Sequence, residues 1–183
     1  MTTIDYDLVK ADLFRILSSG FSYPTPQKCD DIRSLIQYLL ENFELEEKET
    51  LEHIQASINY KEILNAYSRL FLKGTIPTTE TAVCEKMNCL PDVAAFYKAF
   101  GMNAKSGDSP DSITYQLEFV SMLLVKKVLA KNEEQSLVVT DAYKKFMTDH
   151  LKELAVKFSE KLNSIDPPEF YGQLSNLLIM VVK

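Results

Sequence analysis

The sequence predicts an all-α protein, a single-domain helical bundle of about eight helices. Three observations point there. Apolar residues recur at helical spacing along nearly the whole chain, and sustained alternation of apolar and polar residues is scarce. Only five glycines and seven prolines punctuate 183 residues, too few for the many tight turns of a sandwich or barrel. The length suits one domain with its own core, and no fixed-period repeat suggests a solenoid.

The elements follow in order. Val9, Leu13, Ile16 and Leu17 form the first stripe, which stops near Gly20. Phe21 to Pro26 reads as an extended aromatic connector, because residues before proline avoid the α region. The second stripe is Ile32, Leu35, Ile36, Leu39 and Phe43, with Asp30 and Asp31 placed at its positive end. A short third helix carries Leu51, Ile54 and Ile58. The fourth carries Ile63, Tyr67, Leu70 and Phe71 and ends at Gly74. From 73 to 88 the pattern lapses, and a loop of that length in a compact domain is often functional. Val93, Phe96, Tyr97 and Phe100 mark the next helix, closed by Gly101.

A second polar loop covers 101–109, after which Ser109 and Pro110 read as an N-cap and first helical residue. That helix carries Ile113, Leu117, Val120, Leu124 and Val128. Tyr115, Phe119, Met122 and Leu123 lie on its other faces, so it is expected to be central. A seventh stripe runs from Tyr143 through Phe146, His150, Leu154 and Phe158 to Leu162. Asp166 to Glu169 resembles a capping box, opening a last helix with Phe170, Leu174, Leu177, Leu178 and Val181.

Composition limits the function. A net charge of −6 disfavours a general nucleic-acid binder, which needs cationic surface, and is compatible with a basic peptide partner. The longest uncharged stretches fall short of a membrane span, so no stable membrane insertion is expected. The opening residues carry acidic groups where a secretory signal carries basic ones, so a soluble, cytoplasmic protein is expected. Cys29, Cys84 and Cys89 are too few and odd in number for a disulfide framework.

No catalytic or cofactor-binding motif emerges, neither GxGxxG, P-loop nor GxSxG, and no cofactor or metal is expected. Cys84 and Cys89 lack the second ligand pair a structural zinc needs, and they read as small buried or loop thiols. A nucleophilic dyad of Cys84 with His150 has nothing local to support it. His150, among Phe146, Leu154 and Phe158, reads as a hydrogen-bonded structural histidine. Glu44, Glu46, Glu47 and Glu49 read as a solvated helix start. Asp108, Asp111 and Glu118 bracket the second loop and its helix. Glu118, in a helix rich in apolar residues, is expected to need a partner, structural or in a bound peptide.

Several stretches resemble, in order, the TorD/DmsD/NarJ family of molybdoenzyme chaperones. Tyr67, Leu70, Phe71, Gly74 and Pro77 look like its tyrosine-to-LFxG segment and proline loop, and Glu80-Thr81 stands where the family has Glu-Ser. Val93, Phe96, Tyr97, Phe100 and Gly101 match its glycine-terminated helix. Pro110, Asp111, Gln116, Leu117, Glu118 and Phe119 resemble its PxDHxxxELEFM signature, with Ser112 in place of His and Gln116 in place of Glu. Thr78 and Thr79 replace a proline and an aromatic. His150 to Leu162 and Phe170 to Leu178 match its last helices. The likeness covers roughly two-thirds of the chain.

The resemblance implies a non-enzymatic chaperone for the precursor of a molybdopterin oxidoreductase catalytic subunit, bound through its twin-arginine leader peptide or its apo form until the cofactor is inserted. Such a receptor needs an apolar groove rimmed with carboxylates. The expected peptide-binding surface, between the two loops, is Tyr67, Phe71, Pro77 and Glu80 with Asp111, Tyr115, Glu118 and Phe119. Ordinary core packing competes for the aromatics. Domain-swapped dimers occur in the family, so a homodimer with 73–88 as hinge is compatible. The alternative is a helical protein- or ligand-binding adaptor unrelated to redox enzymes.

Overall fold

A computed structural model describes residues 3–86, 88–104 and 108–183, leaving aside the side chains of Thr3 and Ile4. Met87 of the first expected loop and Lys105, Ser106 and Gly107 of the second lie outside the described residues. The fold is all-α. Its helices are α1 (Thr3–Phe21), α2 (Pro26–Asn42), α3 (Lys48–Ala56), α4 (Tyr60–Tyr67), α5 (Glu80–Cys84), α6 (Cys89–Phe100), α7 (Ile113–Val128), α8 (Glu133–Phe146), α9 (Lys152–Asn163) and α10 (Glu169–Val182). Two π-helical turns, Ser68–Leu72 and Met147–Leu151, extend α4 and join α8 to α9 without a break. Among the described residues, the β-structure is one isolated bridge, Thr79 to Ser112. No helix of the described chain is long and apolar enough to cross a membrane.

The stripes become buried faces. α2 starts one turn before the expected aspartates because the Thr25 side chain caps Lys28 N–H and Pro26 supplies a preset φ at the first position. Cys29, Ile32, Ile36 and Leu39 line its inner face. α1 continues past Gly20 to Phe21, which is buried. The helix thus ends one residue past Gly20, as the stripe predicts. Gly20 lets α10 approach, since a Cβ there would lie 2.6 Å from Leu174 Cδ1.

α1 and α7 run antiparallel along the centre. Three polar contacts set their register: Ser18 donates to Thr114 O (2.9 Å), Ser121 to Ala11 O (2.8 Å), and Lys127 pairs with Asp7 (2.8 Å). Phe119 joins this layer to its neighbours, with ring centroids 4.8 Å from Tyr97 and 4.7 Å from Phe146. On the other side, Phe21, Phe71, Phe158 and Tyr171 form a second aromatic cluster under α10.

Four expectations need correction. The stretch 73–88 holds a helix, α5, capped by the Thr79 side chain on Ala82 N–H. The cap of α7 is Ser112, which accepts from Tyr115 N–H, and the helix begins at Ile113, not at Pro110. Asp111 O accepts from Glu80 N–H and Ile113 N–H donates to Thr78 O, so the backbone ahead of Ile113 is engaged with the first irregular stretch and not with the helix. The capping box at 166–169 does not form. Asp166 takes a left-handed φ of 49°, and α10 opens after Pro168 without a side-chain cap. Finally, α8 begins a full ten residues before the Tyr143 stripe, at Glu133. Its first half left no stripe because Leu137 and Val138 are exposed, and only Val139 there is buried.

Phe119 is completely buried where three helices meet. Phe119→Ala is expected to lower the unfolding free energy by about 3–5 kcal/mol, measured by urea denaturation. A loss under about 1 kcal/mol, the range of a volume-conserving swap, would contradict this packing.

Candidate functional site

The two expected loops meet, and polar contacts hold them together. Glu80 N–H donates to Asp111 O (2.9 Å) and Ile113 N–H to Thr78 O (2.7 Å), on either side of the Thr79–Ser112 bridge. Asp111 completes the join from its side chain. One carboxylate oxygen accepts from Thr81 N–H (2.9 Å) and the Thr81 hydroxyl (2.7 Å), and the other from the Ser109 hydroxyl. Burial works against the charged form, but these hydrogen bonds outweigh it and hold the Asp111 carboxyl below its usual range.

Glu80 is the centre of a second, deeper set. Its carboxylate is fully buried and accepts from Gln116 Nε2 (2.7 Å). It faces His150 Nδ1 at 3.0 Å and Lys86 Nζ at 3.5 Å. The other ring nitrogen of His150 faces Asp92 at 3.1 Å. Lys86 is shared with Glu153 (2.6 Å), whose carboxyl Lys86 and Lys157 pull down to about 2. Gln116 Oε1 is buried without a hydrogen-bond partner.

A set of half-buried aromatic side chains lies at the surface. Tyr23 and Tyr67 meet edge to face at 5.5 Å, and Tyr67 packs on Phe71 at 5.2 Å. The Tyr115 hydroxyl donates to Asp108 at 2.9 Å. Burial first, then the charge of Asp108, raises the pKa of Tyr67.

The eight expected residues therefore separate. Tyr67, Phe71, Pro77 and Tyr115 are half-buried at the surface, and Glu118 is exposed. Glu80 (0% exposed), Asp111 (1%) and Phe119 (0%) are interior. The two buried carboxylates are held by internal donors and form no acidic rim. The exposure of Glu118 removes its expected need for a buried partner, because α7 turns that position outward between Leu117 and Phe119. Tyr23, Lys86 and Asp92 were missed. The signal for His150 was its apolar neighbourhood, in which a buried imidazole requires a partner, but nothing in the sequence named Glu80 as that partner.

An open cleft occurs elsewhere. About 420 Å3 in volume, it lies between the α3–α4 turn and the start of α10, lined by Ile58, Asn59, Glu62, Ile63, Glu169 and Phe170 among others. All three cysteines are buried and free, and burial pushes the Cys84 thiol up to about 11, opposite to what a nucleophile needs. Among the described residues, no cluster of three or more His, Cys, Asp or Glu could hold a metal.

What these contacts define is an all-helical bundle whose buried carboxylates and imidazole fasten an irregular segment to the head of α7. A family model described as nitrate reductase delta subunit matches residues 30–160. The chain belongs to that family, a family of molybdoenzyme chaperones rather than catalysts. No curated protein matches it.

The depressed Asp111 carboxyl makes a signed prediction. Its stabilisation is present above the unfolded pKa of about 3.9 and is lost as pH falls through the lower folded value. Asp111→Asn is expected to cost about 1–3 kcal/mol at neutral pH and to flatten the acid limb of stability below pH 4. Urea midpoints measured from pH 2 to 7 check both.

Proposed function

We propose that this chain is a cytoplasmic chaperone for the precursor of a molybdopterin-dependent oxidoreductase catalytic subunit. In this reading it holds the twin-arginine leader, or the apo form of the subunit, while the cofactor is inserted and before export. Membership of the nitrate reductase delta subunit family carries the reading. The geometry supports a location for the contact, the surface where the two irregular stretches meet.

Tyr23, Tyr67 and Tyr115 offer ring faces there, with Phe71 and Pro77 beside them. A guanidinium stacks on such faces and pairs with a carboxylate at the same time. Asp108 and Glu118 are the exposed carboxylates on this side of α7. The apolar run that follows the arginines would cover Tyr67 and Phe71. Glu80, Asp111 and Phe119 then act from beneath, holding the surface in shape. A dimer is compatible with this scheme but not needed by it, since every residue invoked comes from one chain.

The test is calorimetric titration of a synthetic twin-arginine leader. The double variant Asp108→Asn, Glu118→Gln is expected to bind about tenfold more weakly, a loss of about 1.4 kcal/mol, with an unchanged melting temperature. A leader with Lys-Lys in place of Arg-Arg should bind more weakly still. Equal affinity for the two leaders would favour a general adaptor, and failure to bind either the leader or an apo-subunit would overturn the reading.

A further inference from the structure

His150 sits in the π turn Met147–Leu151, where the extra residue swings the imidazole inward between α5, α6 and α8. Its two nitrogens meet carboxylates from different helices: Nδ1 lies 3.0 Å from Glu80 of α5, and Nε2 lies 3.1 Å from Asp92 of α6. An ionised carboxylate only accepts hydrogen bonds. Both contacts are therefore good only when both ring nitrogens carry hydrogen, which means a charged ring. A neutral imidazole has one N–H, and one of the two carboxylates must then face a lone pair.

The surroundings decide which contact fails. Glu80 is fully buried and has no water to turn to, so losing its donor would be costly. The Asp92 side chain is 55% exposed and can exchange the ring for solvent. We propose that His150 is a proton-operated clasp, which fastens the start of α6 to the π turn while the ring is charged and lets it go when the ring is neutral. The segment it releases is already poised. The link from α5 to α6 contains Glu85, a non-glycine residue at φ 58°, a conformation held only by its surroundings. Cys89, at the head of α6, is tied back mainly by weak contacts of its thiol to Thr81 (3.3 Å) and Lys86 O (3.4 Å).

The charges facing the ring come from every neighbouring element. Glu80 of α5 and Asp92 of α6 favour the imidazolium. Lys86, in the link, opposes it through Glu80 but is itself drawn to Glu153 of α9 and donates to Asp149 O in the π turn. α7 contributes uncharged Gln116, and Phe96 of α6 and Phe146 of α8 pack the ring edges at 6.0 and 5.1 Å. Burial disfavours the charge, but the two carboxylates outweigh it and the His150 pKa is raised. The clasp is thus closed below the unfolded value of about 6.5 and opens as pH rises through the folded one.

The chain carries its own controls. Cys89 and Cys84 flank the clasp, whereas Cys29 is buried in α2 and reports global opening. The imidazoles of the urea-denatured chain are the reference for an NMR titration of His150. Each thiol is labelled across the pH range, with the rate divided by that of the denatured chain at the same pH. Cys89 protection is expected to fall by about tenfold, the equivalent of a one-unit shift, as His150 titrates, with Cys29 unchanged.

Asp92→Asn should keep α6 fastened at all pH values, because its amide donates to a neutral Nε2. Asp92→Ala should leave it loose even in acid. His150 titrating at or below the denatured-chain value, Cys89 protection flat through the transition, or Cys29 opening in step would each overturn the proposal.

Discussion

A carboxylate buried without access to water must be met by donors on several sides, and in this protein that carboxylate is Glu80. Gln116 comes from α7, His150 from the π turn between α8 and α9, and Lys86 from the link that follows α5. A removed partner would leave a charge in a low-dielectric interior. The requirement therefore helps to fix the relative positions of four segments. Asp111 repeats the arrangement one layer out, tying Thr81 and Ser109 to the head of α7.

The apolar framework explains why such a network can exist at all. α1 and α7 cross the centre antiparallel, and aromatic clusters on either side fill the space toward α6, α8, α9 and α10. With these layers close-packed, the stretch 73–79 has few apolar residues to bury apart from Ile76. It is held by hydrogen bonds instead. Hydrogen-bonded irregular backbone is more specific in geometry and less strongly held than a packed helix.

The division between inner and outer residues bears on how a chaperone of this family meets its client. Carboxylates that look like ligands for arginine in a linear motif can be structural, each matched by a donor of the same chain. The aromatic rings remain half-open, and Asp108, ahead of α7, and Glu118, on it, are exposed acids. In the proposed function, recognition depends on ring faces and a few solvent-facing charges. The buried pair keeps those groups in register.

The amphipathic period was legible because it is local. Apolar residues three and four apart define a buried face wherever the helix lies, and the stripes of α1, α2, α7, α9 and α10 need no knowledge of their neighbours. Segments without a stripe were not legible. The first half of α8 turns Leu137 and Val138 to solvent, and α5 is too short to show a period. Caps were less legible: Thr25 caps α2 one turn ahead of the expected aspartates, and whether Ser109 or Ser112 capped α7 depended on backbone partners about thirty residues away.

The sequence by itself thus determined an all-helical chain, its main buried faces and a histidine that needed a partner. Only the tertiary structure decided that this partner was Glu80, seventy positions distant, and that Asp111 faced inward while Glu118 faced out. The reason is physical. Burial of apolar area is read from spacing along one helix, whereas the matching of a buried charge depends on which segments the packed core brings together.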